Sequence, residues 1–177
     1  PAIACPFTPD FKIDEPALRK HAAWLATQPG VVAVMTNGHT GEVFSLLPEE
    51  RAQVTQIVAS ELEGKLPVIS SIVCEGVRFG FRPGHVFDYF DAIAEVELDL
   101  IAHVYPAWTR ASYSSATMGE LAKLPYLQAF KVGQRDMNKY AADIKAIREA
   151  DPSKAILTCH DEYLLASMVQ GVDGALV

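Results

Sequence analysis

The chain has 177 residues, half of them hydrophobic, with 15 basic and 22 acidic side chains and a net charge of −7. That length carries ample apolar material for a core, and the acidic balance gives no electrostatic reason to expect nucleic acid or an anionic membrane as partner. No apolar stretch nears the roughly 18 residues of a spanning helix, and no signal peptide is expected before the first strand.

Taken in chain order, short apolar runs alternate with amphipathic helical patterns. "AIACPF" reads as a first strand, followed by a helix with Leu18, Ala22 and Leu25 on one face. "VVAVMTN" is the second strand and ends in the turn "GHTGE", residues 38–42. The next helix has Pro48 as a plausible first residue and Glu49 and Glu50 where the helix dipole favours negative charge. Its apolar face is Val54, Ile57, Val58 and Leu62. "PVISSIV" is a third strand, "LDLIAHVY" a fourth and "YLQAF" a fifth, with Lys131 directly after it. Met137, Tyr140, Ile144 and Ile147 share a helix face, and "KAILT" and "GALV" complete seven strands. The "SSATMGELAKL" helix and the charges of "RDMNKYAADIKAIREAD" read as solvated faces. Cys5, Cys74 and Cys159 are far apart with no CxxC, which fits free thiols in a reducing cytoplasm. Both ends of the chain fall inside apolar segments, so a partial chain is expected.

Most of these runs are apolar on successive residues, as in parallel strands covered on both faces. Strand and helix alternating about every 30 residues means α/β with right-handed crossovers. An open doubly wound sheet and a (β/α)8 barrel compete. No GxGxxG or Walker motif follows the first strand. Polar residues instead cluster after several strands: His39, Thr40 and Glu42; Glu75; His103 and Tyr105; Lys131; His160 and Asp161. A barrel gathers all its strand ends around one mouth, whereas an open sheet concentrates its site at one switch point. The expected fold is a (β/α)8 TIM barrel, with seven of eight strands present.

Lys131 at a strand end is a candidate nucleophile, since desolvation lowers an amine's pKa and frees it to attack a carbonyl as a Schiff base; the competing reading is a surface lysine. The GHTGE turn offers backbone N–H groups and the Thr40 hydroxyl to a carboxylate or another oxyanion, against the plainer reading of a glycine-containing βα turn. Glu42 is expected to be a structural carboxylate pairing with a neighbouring loop. A metal site from His39, His103, His160, Asp161 and Glu75 is conceivable, but no HxH or HExxH spacing supports it, and separate polar roles are expected. The Tyr105 phenol could relay a proton beside an imine or simply plug the barrel mouth. His21 and His85 read as ordinary surface residues.

"GHTGEVFSLLPEER" resembles the GTTGE…L…EER signature of the dihydrodipicolinate synthase / N-acetylneuraminate lyase family. "CPFTPDFKIDEPALRKHAAWL", "KLPVISSIV", "VYPAWTRASYSSATMGELAKLP", "AFKVGQRDMNKYAADI" and "GVDGALV" resemble its successive segments in the correct order. The resemblance implies a TIM barrel, a homo-oligomer (tetramer or dimer) and a class I lyase, aldolase or dehydratase. The substrate implied is pyruvate or another 2-oxo acid, with neither metal nor cofactor. It assigns the imine lysine to Lys131, the carboxylate-holding threonine to Thr40 with Gly41 behind it, and a backbone contact near Leu176. His39 stands where the family has the first threonine of the turn, part of its proton relay. His103 aligns with the family's tyrosine, and Tyr105 lies two residues on, so either is the expected proton-transfer group. Trp108 stands where dihydrodipicolinate synthases have an arginine that grips a second carboxylate; Arg110 is near but shifted. A different second substrate is therefore expected.

The resemblance also implies a third helix and a fourth strand between Gly76 and Arg78. Residues 1–177 are thus expected to be one partial barrel domain lacking roughly 25 to 30 residues there, with the C-terminal helices also missing. Two rival readings are a metal-dependent barrel lyase or hydrolase and a non-catalytic homologue that binds 2-oxo acids without turnover. The expected location is cytoplasmic.

Overall fold

The computed structural model describes residues 1–71, 83–109 and 112–177. The chain divides into two compact units, Pro1–Cys74 and Glu75–Val177.

In the first unit, α1 (Glu15–Leu25) starts at Asp14, whose carboxylate accepts the Ala17 N–H at 3.0 Å and satisfies a donor that the helix cannot. Its buried face is Leu18, Ala22 and Leu25, as the spacing predicts. Strand β1 (Val34–Thr36) is buried throughout and pairs in parallel with β2 (Val68–Ser70). Between them α2 (Pro48–Leu62) opens with Pro48, and the Glu50 carboxylate reaches back to the Leu47 N–H at 2.8 Å. Val54, Ile57, Val58 and Leu62 point into a core shared with Ile3 and Val34.

The first predicted strand is the exception. "AIACPF" makes a single parallel bridge, Ala2 to Met35, through the Ile3 N–H and the Pro1 carbonyl. Pro6 has no N–H to extend a ladder, and Phe7 turns instead to an antiparallel bridge with Ile13. Ile3 and Cys5 are nevertheless buried. The expected gap between Gly76 and Arg78 lies outside the described residues.

In the second unit, α3 (Pro83–Ala94) precedes β3 (Leu100–Val104), β4 (Leu127–Val132), β5 (Ala155–Thr158) and β6 (Gly174–Ala175). All pair in parallel in the order β3-β4-β5-β6. The short α4 (Pro106–Thr109), then α5 (Ser115–Ala122), α6 (Met137–Ala150) and α7 (Leu164–Val169) fill the connections. In both sheets the spatial order follows the chain with no reversal. A doubly wound sheet reverses at its switch point, whereas a barrel wall runs on in sequence. The six parallel strands and their helices are the repeat of the (β/α)8 fold.

The α5 helix and one of the α6 charges, both expected to be solvated, are buried, while the predicted apolar face of α6 holds. Helix α5 buries Met118, Gly119, Leu121 and Ala122. A Cβ on Gly119 would stand 3.2 Å from the Ala146 carbonyl oxygen, so a side chain here would push α5 and α6 apart by a few tenths of an ångström. On α6, Asp143 is buried beside Tyr140 and Ile144, paired with Lys139 one turn before it. The Ser115 hydroxyl donates to the same carboxylate at 2.7 Å. A charge at a core position survives because both partners satisfy it. Replacing Asp143 with Ala should cost about 2 kcal/mol, since Lys139 and Ser115 lose their acceptor; a urea unfolding midpoint unchanged from the parent would contradict this.

Candidate active site

Side chains alternate along each strand, so the buried residues show which face is which. Ala102 and Val104 on β3, Phe130 and Val132 on β4, and Ile156 on β5 join the core beneath α5 and α6. His103, Lys131 and Leu157 therefore project to the opposite face, and register confirms them as neighbours: His103 pairs with Lys131, and Lys131 with Leu157. Gly174 continues the row on β6. Tyr105, Gly133 and Cys159 follow two residues further toward the carboxyl ends.

Lys131 is only 7% exposed. The surface-lysine reading is overturned, because β4 runs on through Val132 and holds this side chain inside the wall. Among the described residues it makes no ion pair. Burial pushes its pKa below the ordinary 10.5, opposed by the attraction that Cys159 would exert as a thiolate. An amine so held is in part neutral at lower pH than a free lysine, which is what attack on a carbonyl requires.

Tyr105 lies against this row. Its ring stacks on His103, with centroids 5.6 Å apart and planes 24° apart, and meets His160 edge-on at 5.6 Å. The two candidate proton-transfer groups are thus one stacked pair. A Cβ on Gly133 would fall 2.6 Å from the Tyr105 ring and 2.7 Å from the Cys159 sulfur. Glycine is what lets both side chains close over β4. His160 is fully buried, with Nδ1 3.8 Å from a Glu162 carboxylate oxygen and Nε2 4.0 Å from the Cys159 sulfur. Sequence reasoning missed Gly133 and Cys159. Counting every second residue through "AILTC" from Ala155 would have placed Cys159 on the face of the lysine.

Leu176 is buried, and its N–H donates to the Thr158 carbonyl at 2.9 Å. Any backbone contact to a substrate there falls to its carbonyl. Trp108's side chain, Arg110, Glu75 and the side chain of His85 lie outside the described residues.

In the first unit the GHTGE turn follows β1. The Gly41 N–H donates to the Gly38 carbonyl at 3.1 Å and the Glu42 N–H to the His39 carbonyl at 2.9 Å. The turn therefore closes on its own amides, and less of the expected anion nest is left than the sequence suggested. Gly41 is buried: a Cβ there would lie 3.1 Å from the Ile3 carbonyl oxygen. Thr40 is exposed, and His39 packs edge-on against Phe44 at 5.3 Å. Glu42 sits in the left-handed region at φ 53° and joins no ion pair among the described residues, contrary to the pairing expected of it. Beneath the turn, Asn37 donates to Ser70, Thr55 and the Arg51 carbonyl and ties the end of β1 to α2.

Among the described residues no three His, Cys, Asp or Glu side chains converge as metal ligands. The His21 ring lies 6.1 Å from that of Trp24, tilted by 37°. No helix among the described residues is long and apolar enough to cross a membrane.

Two outcomes follow from the lysine's surroundings. Because the folded state depresses its pKa, the unfolded chain binds more protons between that value and 10.5, and the cost of burying the ammonium is fully present below this window. Lys131→Met should therefore raise the melting temperature at pH 7, with the gain shrinking as the pH rises toward 10.5. Gly133→Ala should cost about 1–3 kcal/mol by overpacking. Tyr105→Ala in the same chain should recover part of that loss, and strict additivity in the double-mutant cycle would count against the contact.

A family model described as the dihydrodipicolinate synthetase family matches residues 1–78 and 80–177. The N-acetylneuraminate lyase of Enterobacter sp. strain 638 is 25% identical over 201 residues, covering 99% of this chain and 66% of that protein. The chain thus spans a little under two thirds of the length of the curated relatives it matches. Among solved structures, the Acinetobacter baumannii dihydrodipicolinate synthase complexed with pyruvate has a TM-score of 0.88 at 25% identity, covering 99% of this chain and 68% of that one. A monomeric dihydrodipicolinate synthase variant reaches a TM-score of 0.91 at 16% identity, covering 99% and 67%. A lysine walled into the fourth described strand, a glycine-threonine turn after the first, and a family match along nearly the whole sequence agree: this chain belongs to the dihydrodipicolinate synthetase family.

Proposed function

We propose that the protein is a Schiff-base-forming lyase, an aldolase or dehydratase, acting on pyruvate or another 2-oxo acid. The observation that carries this reading is Lys131: a buried amine on a strand face, with its charged form disfavoured by desolvation and no ion pair among the described residues. Its attack on the keto carbon, with loss of water, gives an iminium that serves as electron sink for the neighbouring carbon. That chemistry asks no metal of the protein. The match to a structure solved with pyruvate supports the choice of a 2-oxo acid.

In this reading the Thr40 hydroxyl holds the substrate carboxylate, with Gly41 shaping the turn beneath it and the Leu176 backbone as a further contact. His39 replaces a relay hydroxyl and sets this turn apart from the family pattern. The Tyr105–His103 stack supplies proton transfer to the oxygen of the departing or incoming group. The absence of a second-carboxylate arginine at Trp108 argues for a second substrate other than that of dihydrodipicolinate synthase. A homo-oligomer, tetramer or dimer, and a cytoplasmic location belong to the same proposal.

Treatment with pyruvate and borohydride, followed by peptide mass spectrometry, should give a stable reduced adduct on Lys131, lost in Lys131→Met. An adduct on another lysine would refute the assignment. Pyruvate binding without any adduct would favour the non-catalytic reading, and activity abolished by a chelator without an adduct would favour the metal-dependent one.

A further inference from the structure

We propose that Cys159 is the acid that carries a proton to and from the carbon next to the imine, with His160 and Glu162 positioning its thiol. This rests on Lys131 being the imine lysine.

Three observations bring the group to the reacting atoms. Cys159 follows β5 on the face that carries Lys131 and stands one step nearer the carboxyl ends, since Leu157 is the register partner of Lys131. The two groups are close enough that a thiolate on Cys159 and the ammonium of Lys131 would each favour the other's charged form. The Cys159 sulfur would lie 2.7 Å from a Cβ at Gly133, so the absence of that carbon is what lets the sulfur sit over β4 beside the Tyr105 ring.

The thiol is also held. His160 is buried, its Nε2 is 4.0 Å from the sulfur, and its Nδ1 is 3.8 Å from Glu162. With Nδ1 carrying the ring proton toward Glu162, Nε2 is left to accept the S–H. Arg135 grips the same Glu162 carboxylate at 3.3 Å and fixes it from the far side. The charged groups acting on the thiol are thus Lys131, Glu162 and Arg135. Burial pushes the thiol up to about 11, against the opposite pull of Lys131, so it rests as S–H, the form an acid needs.

The step balances within the site. In the enamine, the carbon–carbon double-bond pair takes the thiol proton. A C–H bond forms as the S–H bond breaks, and the nitrogen lone pair closes the carbon–nitrogen double bond of the iminium. The thiolate left behind stands beside that new cation, which stabilises it. The reverse transfer removes a proton from the same carbon and restores the thiol. This proton differs from the one assigned to Tyr105 or His103, which goes to an oxygen.

The test follows methyl-proton exchange of pyruvate in D2O by NMR, alongside borohydride trapping, on the intact chain. In Cys159→Ala the Lys131 adduct should still form while exchange falls at least tenfold. A purely structural role for the thiol would lower both together. Should the alanine variant not fold, Cys159→Ser, which keeps the side chain's shape, carries the same expectation. Trapping and exchange both at the parent's level would overturn the proposal and leave the Schiff base standing. No adduct in the parent chain would overturn the Schiff-base reading, and the role of Cys159 with it.

Discussion

An ammonium group inside the strand wall is the constraint around which the second unit is arranged. Lys131 shares β4 with Phe130 and Val132, and strand alternation sends these two down into the helix-side core and the lysine up to the other face. The same apolar packing that makes β4 a central strand thus strips water from the amine, and that desolvation lowers its pKa. Stability and reactivity pull in opposite directions here. The core of Phe130, Val132, Ile156 and Tyr140 supplies the burial energy against which one poorly solvated charge is tolerated.

What surrounds the lysine depends on parallel register. His103 and Leu157 lie beside it because β3 and β5 pair with β4 without a slip at those positions. A shift by one residue would turn Lys131 into the helix core and Phe130 onto the open face. Gly133 then decides the next row. Without a side chain it admits Tyr105 from one neighbour and Cys159 from the other, so three strands contribute to one packed cluster.

Helix faces were legible from the sequence because burial there follows a local period. Leu18, Ala22 and Leu25, and the four apolar positions of α2, needed only 3.6-residue counting. The burial of α5 and of Asp143 was not legible. Both depend on how closely α5 meets α6, which Gly119 sets across 27 residues of chain, and a buried aspartate looks like a surface one until Ser115 and Lys139 surround it. The first run failed as a strand for a similar reason: its apolar residues are buried, but a ladder needs donors in line, and Pro6 has none.

The sequence by itself determined the alternation of strand and helix, the motif order that resembles one family, and Lys131 and Thr40 as the candidate pair, because residue type and spacing carry that information along the chain. Tertiary structure alone decided that Lys131 is buried rather than exposed, and that the Gly41 and Glu42 N–H groups of the GHTGE turn bond to the turn's own carbonyls. It also made Cys159, with His160 and Glu162 behind it, a neighbour of the lysine. Burial and hydrogen-bond pairing are properties of which strands lie side by side, and Lys131 and Cys159 meet only through the β4–β5 ladder.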